Sequence, residues 1–254
     1  MMQAQPLYDM IKNTLNSAEL AWLDNAVSTL ATSSDPINQL LDLSVVVKRQ
    51  ITSAINSTEA TLRYCDNSEI IRLLLLLSLF EQHPELHNKV TLKQYYQAGD
   101  CSEKAALLKG LSLLDPQGEA VNLAVNAARC NSVDEFSALA LFNDYPAEHF
   151  AELNFNQLVL KTLFIGLDIS QISKLSSRLN SKLSNMCMSY AIEQALAERI
   201  PPASLWLAVN VEQLSDENQQ EYAHYVKHFY HADTSHQQLL SQLMQAQKLP
   251  TITL

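Results

Sequence analysis

A chain of 254 residues, 47% of them hydrophobic and with a formal net charge of -10, can bury a core without disulfide or metal staples. Its field repels the phosphate backbones of nucleic acids and anionic lipid headgroups, so neither is an expected partner. Four glycines in the whole chain, abundant Leu and Ala, and apolar positions recurring at intervals of three and four predict an all-α protein.

In chain order, the opening residues MMQAQPLYDMIKNTLN lack a basic start followed by an apolar stretch, so no secretory signal is expected and the location is read as cytoplasmic. Helices are expected at 18–31, 36–56, 68–81, 85–98, 101–112, 117–130, 133–142, 154–166, 180–199, 202–213, 216–231 and 235–248. Their starts carry legible chemistry. Asp35-Pro36 and Asp115-Pro116 each put a capping carboxylate before a proline at the first helical position. Asp100 with Glu103, and Ser132 with Glu135, have capping-box form. The apolar run Leu73 to Phe80 is interrupted by Ser78 and falls far short of the about 20 residues that span a bilayer. It reads as a buried helix, and no direct membrane insertion is expected.

Short connections make neighbouring helices antiparallel, which predicts an α-α superhelix of antiparallel helix hairpins, HEAT-like in character. The lack of a clean repeat period keeps an irregular bundle open. No linker interrupts the pattern, so residues 1–254 read as a single all-helical domain with a peripheral C-terminal helical hairpin at about 214–250. Cys65, Cys101, Cys130 and Cys187 stand 36, 29 and 57 residues apart, a spacing that suggests neither a disulfide framework nor a zinc site.

The stretch from Phe136 to Lys161 gathers aromatics, amides, a His and a Lys that a plain helical core does not require. On the helix near 154–166, Phe155, Leu158, Val159, Leu160, Leu163 and Phe164 cover most of the circumference and leave Asn154, Gln157 and Lys161 as a narrow polar stripe. An unpaired buried amide costs about 1–3 kcal/mol, so the stripe either satisfies loop carbonyls near Asn143 to Tyr145 or floors a pocket. Tyr145-Pro146 makes Asn143 to Phe150 a rigid turn followed by one helical turn. Asn143 and Asp144 suit turn and capping roles, while His149 reads either as a hydrogen-bonded structural imidazole or as a proton carrier or ligand.

The run Asn143-Asp144-Tyr145-Pro146-Ala147-Glu148-His149-Phe150, followed by Phe155-Asn156-Gln157-Leu158-Val159-Leu160-Lys161, resembles the signature of the EboA family, bacterial proteins encoded in gene clusters for trafficking secondary metabolites. The likeness covers about residues 99–206. Its pieces are Gly99-Asp100 with Glu103 and Leu107-Leu108, then Arg129 and Asn131, then Arg178-Leu179-Asn180 followed by Leu183, Met186, Tyr190 and Glu193. Arg199, Pro201 and Trp206 close it. The chain departs from the family pattern at Asp144, Asn185, Ser189 and Gln194, where members usually carry Pro, Arg, an acid and Arg.

This resemblance implies a non-catalytic binding or adaptor protein in the trafficking or export of a small-molecule metabolite or its prenylated precursor. Its protein partners would come from the same gene cluster and include a membrane prenyltransferase. The ligand-binding residues it suggests are Asn143, Tyr145, His149, Asn156, Gln157 and Lys161, joined by Arg178 and Tyr190 from the next helical layer. Lys161, Arg178 and Arg129 would lend such a pocket positive charge. Ion pairing among Arg178, Arg199 and Glu193 is the plainer alternative.

A rival reading lies near the C-terminus. On a helix over 216–231, Glu217, Glu221, His224, His228 and His231 fall along one face. Glu221, His224 and His228 are thus a candidate divalent-metal set for a metal-dependent enzyme. A second ExxH is missing, and the alternative is a solvated polar face with Tyr222, Tyr225, Val226 and Phe229 packed inward. His83 and His87 share the four-residue spacing, but Pro84 spoils their register. A Gly-rich phosphate loop, HExxH, GxSxG and DDxxD are all absent, so no cofactor is called for and enzyme readings lack specific support. A purely structural protein-interaction scaffold is the third reading.

Overall fold

In the computed structural model, which describes residues 3–55, 62–246 and 249–250, every regular element among the described residues is helical. The chain divides into two compact units, Met1–His149 and Phe150–Leu254.

The first unit opens with α1 (Ala4–Ile11), α2 (Ser17–Thr32), α3 (Pro36–Gln50) and α4 (Asn67–Gln82). It continues with α5 (Lys89–Ala98), α6 (Cys101–Lys109), α7 (Leu111–Leu114), α8 (Val121–Ala127), α9 (Val133–Ala140) and α10 (Tyr145–His149). Asp66 and Glu69 form a capping box at the start of α4, and every residue from Ser68 to Phe80 is buried. A helix apolar nearly all round needs neighbours on every side, and α1, α2, α3 and α6 supply them. Arg72 is buried among them at 2% exposure. Its guanidinium donates to the Ser44 carbonyl and to the Ser68 and Ser102 hydroxyls at 2.8–3.3 Å, so neutral oxygens from α3, α4 and α6 satisfy it and tie the three helices together. Gly110 permits the close approach of α6 to α4, since a Cβ there would lie 2.0 Å from Leu73 Cδ2.

Some boundaries differ from expectation for identifiable reasons. Helix α1 is present although none was expected: Ala4, Leu7 and Ile11, spaced by three and four, bury its inner face, and the Ala4 amide donates to Glu81. Helix α3 stops at Gln50 because Glu19, part of the α2 capping box, takes the amides of Thr52 and Ser53 at 2.7 and 2.9 Å. Helix α14 ends at Gln245, and residues 247 and 248 of the helix expected there lie outside the described residues.

The second unit contains α11 (Glu152–Phe164), α12 (Ser181–Leu196), α13 (Asp216–Ala232) and α14 (Thr234–Gln245). Helices α13 and α14 are joined at Asp233, whose carboxylate caps α14 by accepting the amides of Ser235 and His236. By contrast α11 and α12 run in the same sense. Asn156 pairs with Asn180 near their starts, and the Tyr190 hydroxyl reaches the Leu163 carbonyl further along. The intervening stretch, with 3-10 turns at Ile169–Gln171 and Leu175–Arg178, carries the chain back.

The α-helix expected over 202–213 is corrected to two 3-10 turns, Ala203–Ala208 and Val211–Gln213. Their polar groups are engaged elsewhere: the Ser204 hydroxyl accepts the Ile169 amide at 3.2 Å and the Asn210 amide donates to Ser184 Oγ at 3.1 Å. The turns deliver Trp206 into the core, edge-on to Tyr222, Phe229 and His236. Trp206 Nε1 donates to His236 Nδ1 at 2.9 Å, and His236 Nε2 meets the Pro201 carbonyl at 2.8 Å. These partners require a neutral imidazole carrying its proton on Nε2. Burial holds the His236 pKa below the ordinary value, against opposing pulls from Pro201 and Asp233.

Candidate functional site

The segment Asn143 to His149 is built around a buried carboxylate. Asp115 accepts the amides of Glu119 and Ala120 at 3.0 and 2.7 Å, which holds the turn before α8 and explains why that helix begins at Val121 rather than near 117. Tyr145, with no exposed surface, donates its hydroxyl to the same carboxylate at 2.6 Å. Burial and the bond to Asp115 both push the phenol well above its usual range, so it stays a donor. The Tyr145 ring tilts against His149 at 4.6 Å between centroids. The imidazole lies over Gly118, whose φ of +73° and lack of a Cβ make room for it. His149 Nε2 is buried without a hydrogen-bond partner among the described residues. Asn143 donates to the carbonyls of Leu108 and Ala138 and accepts the Tyr145 amide, so all its bonds join α6, α9 and α10.

Of the other residues suggested for a ligand, Asn156 and Asn180 exchange amide hydrogen bonds at 3.1 and 3.0 Å, and Asn180 also caps α12. Arg178 donates to the Phe150 carbonyl at 2.8 Å and lies 4.6 Å above the Phe155 ring. Lys161 and Tyr190 are half-buried and Gln157 is exposed. Burial raises the Tyr190 phenol, with the Arg199 charge acting the other way. The structure therefore brings Asn143, Tyr145 and His149 together in the first unit, and joins Asn156 to the turn that carries Arg178 in the second.

Asn185, one of the positions read as departing from the family resemblance, links the start of α13 to α12. It accepts from the Ser215 amide and the Asn218 side chain and donates to the Gln213 carbonyl. A guanidinium has no acceptor and could not take the bonds from Ser215 and Asn218.

Glu221, His224 and His228 lie on the exposed face of α13, while Tyr222, Val226 and Phe229 are buried beneath and Tyr225 is half-buried. His224 and His228 each stand edge-on to the aromatic that follows them. No group of three or more His, Cys, Asp or Glu side chains among the described residues is placed to hold a metal ion.

Among the described residues, two of the grooves have room for a small molecule. In the first unit, a groove of about 530 Å³ runs between α5 and α8, with Val90, Tyr96, Ala120 and Leu123 as apolar wall and Lys89 and Lys93 at its side. The Tyr96 hydroxyl is bonded to Glu135 and its ring lies 5.2 Å from the Lys104 ammonium. In the second unit, a groove of about 1160 Å³ is bordered by Leu175, Trp206, Asn210, Glu212 and Leu243. Sequence reasoning missed the α5 residues, although the signal is present: Lys89, Lys93 and Tyr96 recur at four and three, which puts them along one face of a helix.

The family model described as metabolite traffic protein EboA matches residues 3–210. The match reaches well before residue 99, through the helices packed on α4, and contains the whole α5–α8 groove. Part of the second groove, including Gln219, Leu243 and Met244, lies beyond it. No curated protein and no solved structure matches the chain. With 208 of 254 residues matched (3 to 210 inclusive), the chain belongs to the EboA family of metabolite traffic proteins.

Proposed function

We propose that this protein is a non-catalytic binding and adaptor component of metabolite traffic, holding the hydrocarbon part of a small-molecule cargo in the α5–α8 groove. The observation that carries the reading is the groove itself. Its apolar wall and about 530 Å³ are in the range of small-molecule sites, and all its lining residues fall inside the family match. The signature supports a binding role from the other side. Asp115, Tyr145, Asn143 and Asn156 have their polar atoms engaged in hydrogen bonds that join helices and turns, which is the work of a scaffold.

The prenylated nature of the cargo, a handover to a membrane prenyltransferase and other proteins of the same gene cluster, and a cytoplasmic location belong to this proposal. It is compatible with the absence, among the described residues, of any helix long and apolar enough to cross a membrane. The test is calorimetric titration with monomeric decyl maltoside, a neutral amphiphile, together with metabolite export from the native host. Wild-type protein should bind the probe. Val90→Gln, at an exposed wall position, should weaken binding and lower export while the fold is retained. Full binding and export in that variant would sink the reading.

A further inference from the structure

The wall of the α5–α8 groove is apolar, but the charge that lines it is net positive, with Lys89 and Lys93 against Glu119. Lys89 is the first residue of α5 and Lys93 follows one turn later. The ammonium groups start from positions separated by a rise of about 6 Å along the helix. No acidic residue occupies the first turn of α5, so the positive end of the helix dipole adds to Lys89 instead of being offset. Neither lysine makes an ion pair or hydrogen bond among the described residues. A third cation, Lys104, stands over the Tyr96 ring. Facing acids are few: Glu119 is the one carboxylate lining the groove, and Glu135 is engaged by the Tyr96 hydroxyl. In a chain of net charge -10, two unpaired lysines at a helix N-terminus oppose the local dipole, and both line the groove.

Resting on the reading of this groove as a cargo site, we infer that the cargo class is a single-chain amphiphile with an anionic head, a phosphate or carboxylate. Its hydrocarbon lies against Val90, Tyr96 and Leu123, and its head is held between Lys89 and Lys93.

The test compares monomeric decyl phosphate with decyl maltoside in calorimetric titrations of the full chain, for wild type and for the double variant Lys89→Glu/Lys93→Glu. Both positions are exposed, so the variant should fold. Wild type should bind decyl phosphate at least about tenfold more tightly than decyl maltoside, with an affinity that falls as salt is added. The double variant should lose that preference and keep its decyl maltoside affinity. Equal affinity for the two probes, or a preference that survives the double substitution, would overturn the inference and leave the groove reading standing. Failure of wild type to bind either probe overturns both. Inorganic phosphate binding as tightly as decyl phosphate would show a bare anion site, and retention on anionic lipid vesicles without binding of the monomer would show a membrane-surface patch. Either outcome also overturns the inference.

Discussion

The turn around Asp115 and the groove beside α5 lie in the same unit and use polar residues in opposite ways. Asn143 and Tyr145 look chemical in sequence, yet both are buried and, with Asp115, bonded to the fold. Lys89 and Lys93 look like ordinary surface residues, yet they stand unpaired beside an apolar hollow. A polar group buried in folding must find its partner inside the protein, because an orphaned one costs about 1–3 kcal/mol. These three residues therefore hold the fold together, and the proposed cargo site draws instead on side chains that folding does not need.

Substitutions sharpen this contrast, beginning with the largest effect. Asp115→Ala removes the acceptor for two amides and the Tyr145 hydroxyl. It should cost about 3 kcal/mol or more in urea denaturation, since each bond to a charged group contributes about 1.5–3 kcal/mol. Tyr145→Phe, which removes only one of those bonds, should cost about half as much. A loss below about 1 kcal/mol for Asp115→Ala would break the comparison, because the turn would then not depend on its carboxylate. Gly118→Ala forces a Cβ to within 2.4 Å of His149 Nδ1 at a positive φ and should cost about 1–3 kcal/mol. An accompanying shift of the His149 ring resonances would show the direction of the strain.

The next effect is one of pH. His236 is buried and neutral, with its folded pKa below the unfolded one, so in the interval between the two the unfolded chain binds the extra proton. Stability is therefore fully present above about pH 6.5 and declines as pH falls below it. Asp66 and Asp233, whose carboxyls are held low, add their own losses only when pH approaches about 4. Thermal melts between about pH 7.5 and about pH 5.5 should show the decline for wild type, and a flat profile would count against the neutral His236 assignment. The smallest effects belong to exposed charges. Lys89→Glu/Lys93→Glu and, on α13, His224→Ala/His228→Ala should each change stability by no more than about 0.5 kcal/mol. A larger loss from the lysine pair would make those residues structural and erase the contrast.

Much of the helical layout was legible because its signals are local. The capping box at Asp100, the N-cap at Ser132, the buried run of α4, and the inward set Tyr222, Val226 and Phe229 on α13 all follow from spacing, although Glu135 turns to the Tyr96 hydroxyl and leaves the box at Ser132 unclosed. The misses have a different origin. The helix expected over 202–213 yields to bonds that Ser204 and Asn210 make with residues 35 and 26 positions away, respectively, and no local pattern reports such partners. Asn156, suggested for a ligand, exchanges amide hydrogen bonds with Asn180, a partner that no local pattern on α11 reports. The parallel course of α11 and α12 follows from that pairing, where short connections elsewhere would have favoured an antiparallel one.

By itself the amino-acid sequence determined the all-α class, the position of most helices and the family, because caps, apolar spacing and signature residues act within a few positions of one another. Only the tertiary structure decided which polar residues are spent and which are left. Whether Tyr145 finds Asp115, Arg72 finds Ser44 and Ser102, or Lys89 finds no partner depends on which helices meet. That meeting is governed by the burial of apolar faces across the whole chain.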